Sequence, residues 1–338
     1  MLYSFKNDYS EWAHPAILDA LKEMNFQQED GYWNDSFSQN ARKYLHRQME
    51  DDKPAIHFVS WGTQANLLCL AAFLRPYESI IAANTAHIAV HEAGAIEATW
   101  HKIHTITTSD GKLNPDLILP TITEHKDEHM VKPKLVFISQ TTEVWSVYTK
   151  DEIRELSDFC KEHNLWLYMD WARLWSALTS LATDIDLPTI TKLVDAYYIW
   201  GTKNGALLGE AIVLCNESLH ENFRYHMKQR WALLAKWRLV WLQFSTLFEN
   251  TLFFDLWKHA NTMAQKLADG ISQKWYTFLS KPVSNQIFPI LPHDRITQLE
   301  QKFGFYIWKP IDEKSSAIRL VTSWATPKEM VGEFLRVL

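Results

Sequence analysis

The stretch DAYYIWGTKNGALLG, from Asp195 to Gly209, decides the fold that we expect for the rest of the chain. A short apolar run ends at Gly201, and Lys203 follows before a second apolar run begins. This pattern predicts a β-strand whose carboxyl end carries a lysine on a turn of small residues. Burial at such a place lowers the pKa of an amine and makes it nucleophilic, which suits imine formation with an aldehyde. Most lysines that follow strands are solvated turn residues, so the neighbouring elements have to decide between the two interpretations.

Composition excludes several classes of protein. The 338 residues carry a formal net charge of −6 and no dense basic run, which disfavours a nucleic-acid partner. Cys69, Cys160 and Cys215 are scattered without disulfide or metal-site spacing, which is typical of a reducing compartment. The amino terminus is too polar for a signal peptide, and no apolar run reaches membrane-spanning length. We therefore expect a cytoplasmic globular protein with a small-molecule substrate, no bound metal and no membrane partner.

The balance between tryptophan and glycine is unusual. The chain has 16 Trp and only 10 Gly, whereas glycine usually makes up about 7% of residues. Our hypothesis is that thirteen tryptophans stand at glycine positions, because exchanging them would restore the usual share. If these tryptophans are literal, their strain should exceed a typical stability of about 5–15 kcal/mol. The thirteen are Trp12, Trp33, Trp61, Trp100, Trp145, Trp171, Trp175, Trp200, Trp231, Trp237, Trp241, Trp257 and Trp275.

Apolar strands alternate with helices from residue 55 onward. This alternation predicts an α/β protein with a three-layer, mostly parallel sheet and functional groups at the carboxyl ends of its strands. The predicted strands are 55–60, 79–83, 102–107, 135–139, 165–169, 196–199 and 211–214. The predicted helices are 15–24, 36–49, one that ends near 74, 86–98, and one that opens at Thr149 with capping-box spacing to Glu152.

Three domains are expected along the chain. Residues 1–50 form an amino-terminal arm that contributes to the active site, and residues 51–249 form the large cofactor-binding domain. Residues 250–338 form a small α+β domain, preceded by a long helical stretch over 224–269. Its strands are predicted near 285–289, 305–308 and 317–321, with helices from Arg295 and Pro327.

Four features are expected to meet at the strand ends of this sheet. Gly62-Thr63-Gln64 begins a predicted helix, whose free amides and dipole attract a phosphate. An ordinary strand-to-helix turn without a ligand would have the same sequence pattern. Asp170 ends a strand and can hold a protonated ring nitrogen, and Arg173 can hold an anionic oxygen, unless the two form a structural pair. His87 can lie against a ring, although a lone histidine is more often structural. With Lys203, this set describes a site for pyridoxal phosphate.

The chain resembles the threonine aldolase / β-eliminating lyase family of pyridoxal-phosphate enzymes, which have the aspartate aminotransferase-like fold (fold type I). The resemblance extends over nearly the whole chain. The motifs that carry it are Phe5-Lys-Asn-Asp, Asp30-Gly-Tyr-Trp-Asn-Asp, Gly62-Thr-Gln-Ala-Asn, Ala86-His-Ile with Glu92-Ala-Gly, Met169-Asp-Trp-Ala-Arg, Thr202-Lys-Asn-Gly and Arg319-Leu-Val-Thr. Glycine positions of the family fall here on Trp33, Trp61, Trp145, Trp171 and Trp200.

The resemblance implies a role for each cofactor-binding residue. Lys203 would form the Schiff base, Asp170 would pair with the ring nitrogen, and Arg173 would contact the phenolic oxygen. His87 would stack on the ring. The phosphate would be bound by Gly62, Thr63 and Gln64, with Lys228 and Lys236 as helpers that a second subunit could supply.

The resemblance also implies how a substrate is held and cleaved. Arg319 would pair with the substrate carboxylate, with Asn7 nearby and Tyr32 reaching in from a neighbouring chain of a homotetramer, a dimer of dimers. The reaction would be retro-aldol cleavage of threonine or allo-threonine to glycine and an aldehyde. A histidine that many family members use at the β-hydroxyl is replaced here by Glu143, so the base would be this carboxylate or water.

Other functions remain open from the sequence alone. One is another β-eliminating lyase or an aminotransferase-like enzyme, and another is an inactive member that binds a phosphorylated ligand. A literal Trp61 would fill the phosphate cup and a literal Trp171 would crowd the cofactor. We therefore expect the chain with these tryptophans to bind no pyridoxal phosphate.

Overall fold

A seven-stranded sheet forms the centre of the fold. The computed structural model describes residues 2–33, 35–171 and 184–338. Its strands are β2 Ala55–Val59, β3 Glu78–Ala83, β4 Ile103–Ile106, β5 Lys132–Ser139, β6 Trp166–Asp170, β7 Ala196–Trp200 and β8 Glu210–Leu214. Their order in the sheet is β2-β8-β7-β6-β5-β3-β4, and of these described strands only β8 runs antiparallel to its neighbours. The predicted strands and the mostly parallel sheet are confirmed.

Helices cover both faces of this sheet. Gly62–Phe73 and Phe223–Gln229 pack together, and the first also contacts β2, β7 and β8. A second group is linked by successive helix contacts and consists of Pro115–Glu124, Lys150–Glu162, Leu187–Leu193, Ser36–Met49 and Arg238–Phe248. Thr149 caps its helix with the reciprocal hydrogen bonds of a capping box to Glu152, as the spacing predicts.

Two helix predictions are wrong in their extent. The expected helix 86–98 is only His87–Val90, followed by turns and a 3₁₀ turn at Glu97–Thr99. Ala93 and Gly94 have φ of 51° and 74°, a left-handed conformation that ends a helix. The expected helical stretch 224–269 is broken into Phe223–Gln229, Arg238–Phe248 and Leu252–Gln273. The helices Pro115–Glu124 and Leu187–Leu193, both with proline in the first turn, were not predicted.

The carboxyl-terminal part forms a second, smaller unit of sheet and helix. Antiparallel strands β9 Gln286–Ile287, β10 Ile290–Pro292, β12 Tyr306–Pro310 and β13 Ser315–Val321 pair around β13, and the helices are His293–Glu300 and Lys328–Val337. Strand β11, Phe303–Gly304, pairs instead with β1, Tyr3–Ser4, at the amino terminus. In the described ranges, no helix is both apolar enough and long enough to cross a membrane.

The buried apolar residues fall into two clusters. The larger cluster draws on residues from Ala13 to Ala260 and surrounds the seven-stranded sheet. The smaller one joins Phe5 to residues from Met263 to Leu338. The segment around Phe5 thus packs into the smaller, carboxyl-terminal cluster, whereas the chain from Ala13 onward packs into the larger one. Asn7 lies on the stretch of sequence that connects these two.

Candidate active site

The turn that carries Lys203 is fixed by a buried carboxylate. Lys203 lies on the 3₁₀ turn Thr202–Asn204 directly after β7 and is only 7% exposed. Glu210, at the start of the antiparallel β8, accepts hydrogen bonds from the Gly201 amide at 3.0 Å and from the Thr202 hydroxyl at 2.9 Å. Burial raises the pKa of Glu210 well above its ordinary value. The residues directly before the lysine are therefore held in place by Glu210.

A hydrogen-bonded group of polar residues lies at the same edge of the sheet. Asp170 ends β6 and is 3% exposed, and Asn66 donates to its Oδ2 at 3.4 Å. Asn66 also donates to Glu92 at 2.6 Å, and Glu92 bonds Nδ1 of His87 at 2.8 Å. One polar atom from each of His87, Glu92 and Asp170 lies within 4.8 Å of the others. The structure thus brings His87 to the carboxylate of Asp170.

The electrostatics of this group favour a charged histidine. Burial lowers the pKa of His87, but the hydrogen bond to Glu92 and the negative charge of Asp170 outweigh it, so the pKa is raised overall. Burial raises the pKa of Glu92, because a carboxylate loses solvation there. The position of His87 is thereby tied to Glu92 through one short hydrogen bond.

Glu143 lies beside the same histidine. Its Oε1 accepts from the backbone amide of His87 at 2.9 Å and from the Ser139 hydroxyl at 2.7 Å. Burial raises the pKa of Glu143 and outweighs the opposing hydrogen bond from Ser139. A carboxyl group with a raised pKa at the end of β5 can exchange a proton with a bound hydroxyl.

The helix terminus that we expect to bind the phosphate is present, and the side chain of Trp200 occupies the space next to it. Gly62 begins the helix Gly62–Phe73 at the end of β2, and the side chain of Gln64 accepts from both the amide and the hydroxyl of Ser60. The indole of Trp200 packs so closely on Gly62 that a Cβ atom there would collide with it. The Nζ of Lys203 lies 3.6 Å from the centre of the same indole. We call this space between Gly62 and Lys203 the cofactor seat.

The residue types at the seat fit pyridoxal phosphate, but the space does not. Lys203, Asp170 and the helix amino terminus are the amine, carboxylate and amides that this cofactor needs. The indole of Trp200 lies between the first and the last of them, and Trp61 packs edge-on against it with ring centres 5.4 Å apart. With both indoles in these positions, the space over Gly62 that a cofactor phosphate would need is taken up by the Trp200 ring.

The residues expected to bind substrate lie in several places. Arg319, on β13, donates from Nε to Gln286 at 2.9 Å, and its charge acts on His91, four residues after His87. Asn7 accepts from the Tyr9 amide at 3.1 Å and is half-buried.

The expected phosphate helpers do not meet at the seat in these contacts. Lys228 lies 5.0 Å over the ring of Tyr32, and Arg224 donates to the Tyr32 carbonyl at 3.1 Å. Lys236 is exposed. Arg173 lies outside the described residues, so its expected contact has no structural account here.

Three residues of the site escaped the sequence reasoning. Asn66 and Glu92 stand inside motifs that we quoted, yet neither received a role. Glu210 was not singled out at all. Its signal was available, because a charged residue at the head of an otherwise apolar strand needs a buried partner.

The fold and this arrangement of lysine, aspartate and helix terminus define the aspartate aminotransferase-like class, fold type I. A Thermus thermophilus aspartate aminotransferase superposes with a TM-score of 0.70 at 14% identity, covering 100% of this chain and 92% of that chain, which shows the fold. The family model of the beta-eliminating lyases matches residues 10–290. The chain belongs to this family.

Proteins named threonine aldolase match nearly the whole chain. A low specificity L-threonine aldolase of Pseudomonas aeruginosa is 33% identical over 335 residues, which are 98% of this chain and 96% of the relative. The structure of a Leishmania major threonine aldolase superposes with a TM-score of 0.96 at 43% identity, covering 99% and 98% of the two chains. The similarity therefore includes both the large sheet and the carboxyl-terminal unit.

Proposed function

We propose that this protein is a pyridoxal-phosphate-dependent carbon–carbon lyase that cleaves a β-hydroxy-α-amino acid, threonine or allo-threonine, to glycine and an aldehyde. The observation that carries the proposal is the placement of Lys203, Asp170 and the Gly62 helix terminus at one edge of the sheet. Full-length similarity to proteins named threonine aldolase supports the same reaction class. Pyridoxal phosphate, when bound, supplies an electron sink for such a cleavage.

The residues that hold the cofactor are assigned by their chemistry. Lys203 would bind its aldehyde, Asp170 its ring nitrogen, and the amides at Gly62, Thr63 and Gln64 its phosphate. His87 would lie against the ring, because Glu92 fixes it beside Asp170. This assignment requires that the side chain at position 200 leave the seat.

The substrate-handling residues follow from charge and proton affinity. Arg319 would bind the substrate carboxylate, because guanidinium and carboxylate form two parallel hydrogen bonds. Glu143 would accept the proton of the β-hydroxyl, since its raised pKa matches that task better than an ordinary carboxylate would. Asn7 would lie near the carboxylate.

The assembly and its location are also proposals. We infer a homotetramer, a dimer of dimers, in which Tyr32, Lys228 and Lys236 of one chain face the site of another. The exposure of these three side chains is compatible with that arrangement. We place the protein in the cytoplasm. We propose a large domain over 51–249, a small one over 250–338 and an arm over 1–50. The two apolar clusters support a division into a larger and a smaller unit, although the larger cluster also includes residues between Ala13 and Met49 and extends to Ala260.

The test uses a variant in which the seat is open, with Trp61→Gly and Trp200→Gly together, which we call the open-seat variant. Borohydride reduction with pyridoxal phosphate should attach one cofactor to Lys203, and threonine should yield glycine and acetaldehyde. Lys203→Arg, which keeps the charge, should give neither. Formation of pyruvate instead would support a β-eliminating enzyme, and an unchanged adduct in Lys203→Arg would refute the assignment of the lysine.

A further inference from the structure

Five tryptophans lie in the left-handed region of the backbone. Trp33 has φ of 100°, and Trp100, Trp145, Trp231 and Trp275 have φ between 61° and 69°. Only a few per cent of residues other than glycine adopt positive φ, and a bulky side chain there is an outlier. Such strain normally persists only where surrounding contacts enforce it.

No such contacts are available at three of these positions. Trp100, Trp231 and Trp275 are 88%, 87% and 93% exposed. Their indoles are in solvent, so packing cannot hold the backbone in the strained conformation. Glycine adopts this conformation without cost and is the usual residue there.

Four other tryptophans are completely buried without a partner for the ring nitrogen. The Nε1 atoms of Trp171, Trp237, Trp241 and Trp257 have no hydrogen-bond partner among the described residues. Each of these side chains is at most 2% exposed. A buried tryptophan normally finds an acceptor, because an unpaired buried N–H loses its hydration without replacement.

Trp61 and Trp200 fill the cofactor seat described above. Trp61 is the residue before the helix Gly62–Phe73 and provides no side-chain capping hydrogen bond. Glycine is accepted at that place, whereas large apolar residues are disfavoured. Trp200 covers Gly62 and lies under the amine of Lys203.

Three further tryptophans show none of these features. Lys134 lies 4.2 Å over the ring of Trp166, Phe288 meets Trp308 edge-on at 5.6 Å, and His14 meets Trp324 edge-on at 5.6 Å. None of the three has positive φ or an unpaired buried nitrogen. They are tryptophans in the environments that tryptophan ordinarily occupies.

We propose that eleven of the thirteen positions, 33, 61, 100, 145, 171, 200, 231, 237, 241, 257 and 275, are glycine in the functional protein, whereas Trp166, Trp308 and Trp324 are tryptophan. Of the other two, Trp12 has neither positive φ nor an unpaired buried nitrogen, and Trp175 lies outside the described residues. One cause accounts for all eleven. The codon UGA is assigned to tryptophan in some genetic codes and to glycine in others, while UGG is tryptophan in all of them. If the eleven positions share the first codon, its decoding as glycine would place glycine at all of them, and glycine at positions 61 and 200 leaves the seat open.

The assignment of glycine from backbone strain and buried indoles is independent of the proposed function. The inference that an open seat binds the cofactor rests on the proposed function. The deciding experiment is peptide mapping by mass spectrometry on the protein purified from cells of its own organism. Peptides that contain the eleven positions should each be lighter by the difference between a tryptophan and a glycine residue. Peptides with Trp166, Trp308 and Trp324 should keep the tryptophan mass. Tryptophan at the eleven positions, or glycine at the three, would overturn the proposal.

A second measurement separates this inference from the proposed function. The chain with all eleven Trp→Gly substitutions, and the chain with the eleven tryptophans, are titrated with pyridoxal phosphate and followed by visible absorbance. Binding by the substituted chain alone supports both proposals. Glycine in the mapped peptides without any cofactor binding would refute the proposed function and leave the glycine assignment intact. Equal binding by both chains would refute the closed seat.

Discussion

The hydroxyl of Thr202, the residue before Lys203, donates a hydrogen bond to Glu210. The side chain of Glu210 is 0% exposed and belongs to β8, which among the described strands of the seven-stranded sheet is the one that runs antiparallel. Because β8 runs in the opposite direction, its first residue, and not its last one, lies at the edge of the sheet where the candidate site is found. This first residue, Glu210, is the hydrogen-bond acceptor for the turn that carries Lys203.

This relationship predicts different outcomes for two substitutions of Glu210. Glu210→Ala leaves the Thr202 hydroxyl without its acceptor and removes one of the two acceptors of the Gly201 amide, which also donates to the Gly209 carbonyl. The free energy of unfolding should therefore fall by about 1–3 kcal/mol. Glu210→Gln keeps one acceptor oxygen. Since burial favours the uncharged acid, it should cost less than about 1 kcal/mol. Urea unfolding of the open-seat variant with each change measures both values, and equal losses would contradict the role of the two hydrogen bonds.

The raised pKa of Glu143 predicts the acidic side of the activity profile. A base works only when ionised, so kcat/KM should fall as the pH drops through a pKa above the ordinary value of 4.5. Glu143→Gln should reduce kcat/KM about 100-fold and abolish that dependence. Ser139→Ala removes a donor that stabilises the carboxylate, so the acidic limb should move to higher pH. A limb that stays in Glu143→Gln would assign it to another group.

Arg319 should act on substrate binding more than on turnover. Arg319→Lys loses the parallel pair of hydrogen bonds to a carboxylate, so KM should rise by about tenfold to a hundredfold while kcat changes little. The matched control is Arg295→Lys, because Arg295 donates to Gln298 on its own helix. Initial rates over a range of threonine concentrations give KM and kcat separately and thereby test whether Arg319 acts on substrate binding. A fall in kcat at constant KM would place Arg319 elsewhere in the reaction.

The exposed tryptophans with positive φ should destabilise the chain. Trp231→Gly and Trp275→Gly should each raise the free energy of unfolding by about 1–2 kcal/mol, because the left-handed strain disappears and no buried contact is lost. Trp12→Gly is the control, since Trp12 is 74% exposed and is not among the residues with positive φ. It should instead lower stability by about 0.5–1 kcal/mol through the added freedom of the unfolded chain. If the free energy of unfolding changed in the same direction in all three variants, backbone strain at Trp231 and Trp275 would not be its cause.

Much of the large sheet was predictable from sequence, and the reason is local. Buried strands such as β5 and β7 are visible in the sequence as short apolar runs, and polar or small residues mark where each run ends. The placement of Lys203 and Asp170 at one edge followed from the rule for parallel strands. The capping box at Thr149 needed only four residues to be recognised.

The remaining features depend on contacts that are distant in sequence. The region after His87 has helical composition, but Glu92 turns inward to bond the His87 ring and Asn66, which ends the helix early. Asn66 received no role because its partners lie on other elements. Trp200 lies on β7 and Gly62 begins the helix after β2, so the two residues are far apart in the sequence. No local sequence pattern could therefore predict that Trp200 covers Gly62.

The pairing of Tyr3–Ser4 with Phe303–Gly304 has a consequence for synthesis of the chain. Phe5 packs on Phe303 and on Phe334, with ring centres 5.9 Å and 5.6 Å apart. Phe5 is synthesised long before Phe303 and Phe334, so its partners are missing while most of the chain between them is made. A nascent chain that stalls before the helix Lys328–Val337 leaves the Phe5 ring without its partner Phe334, where it is available to chaperones or to aggregation.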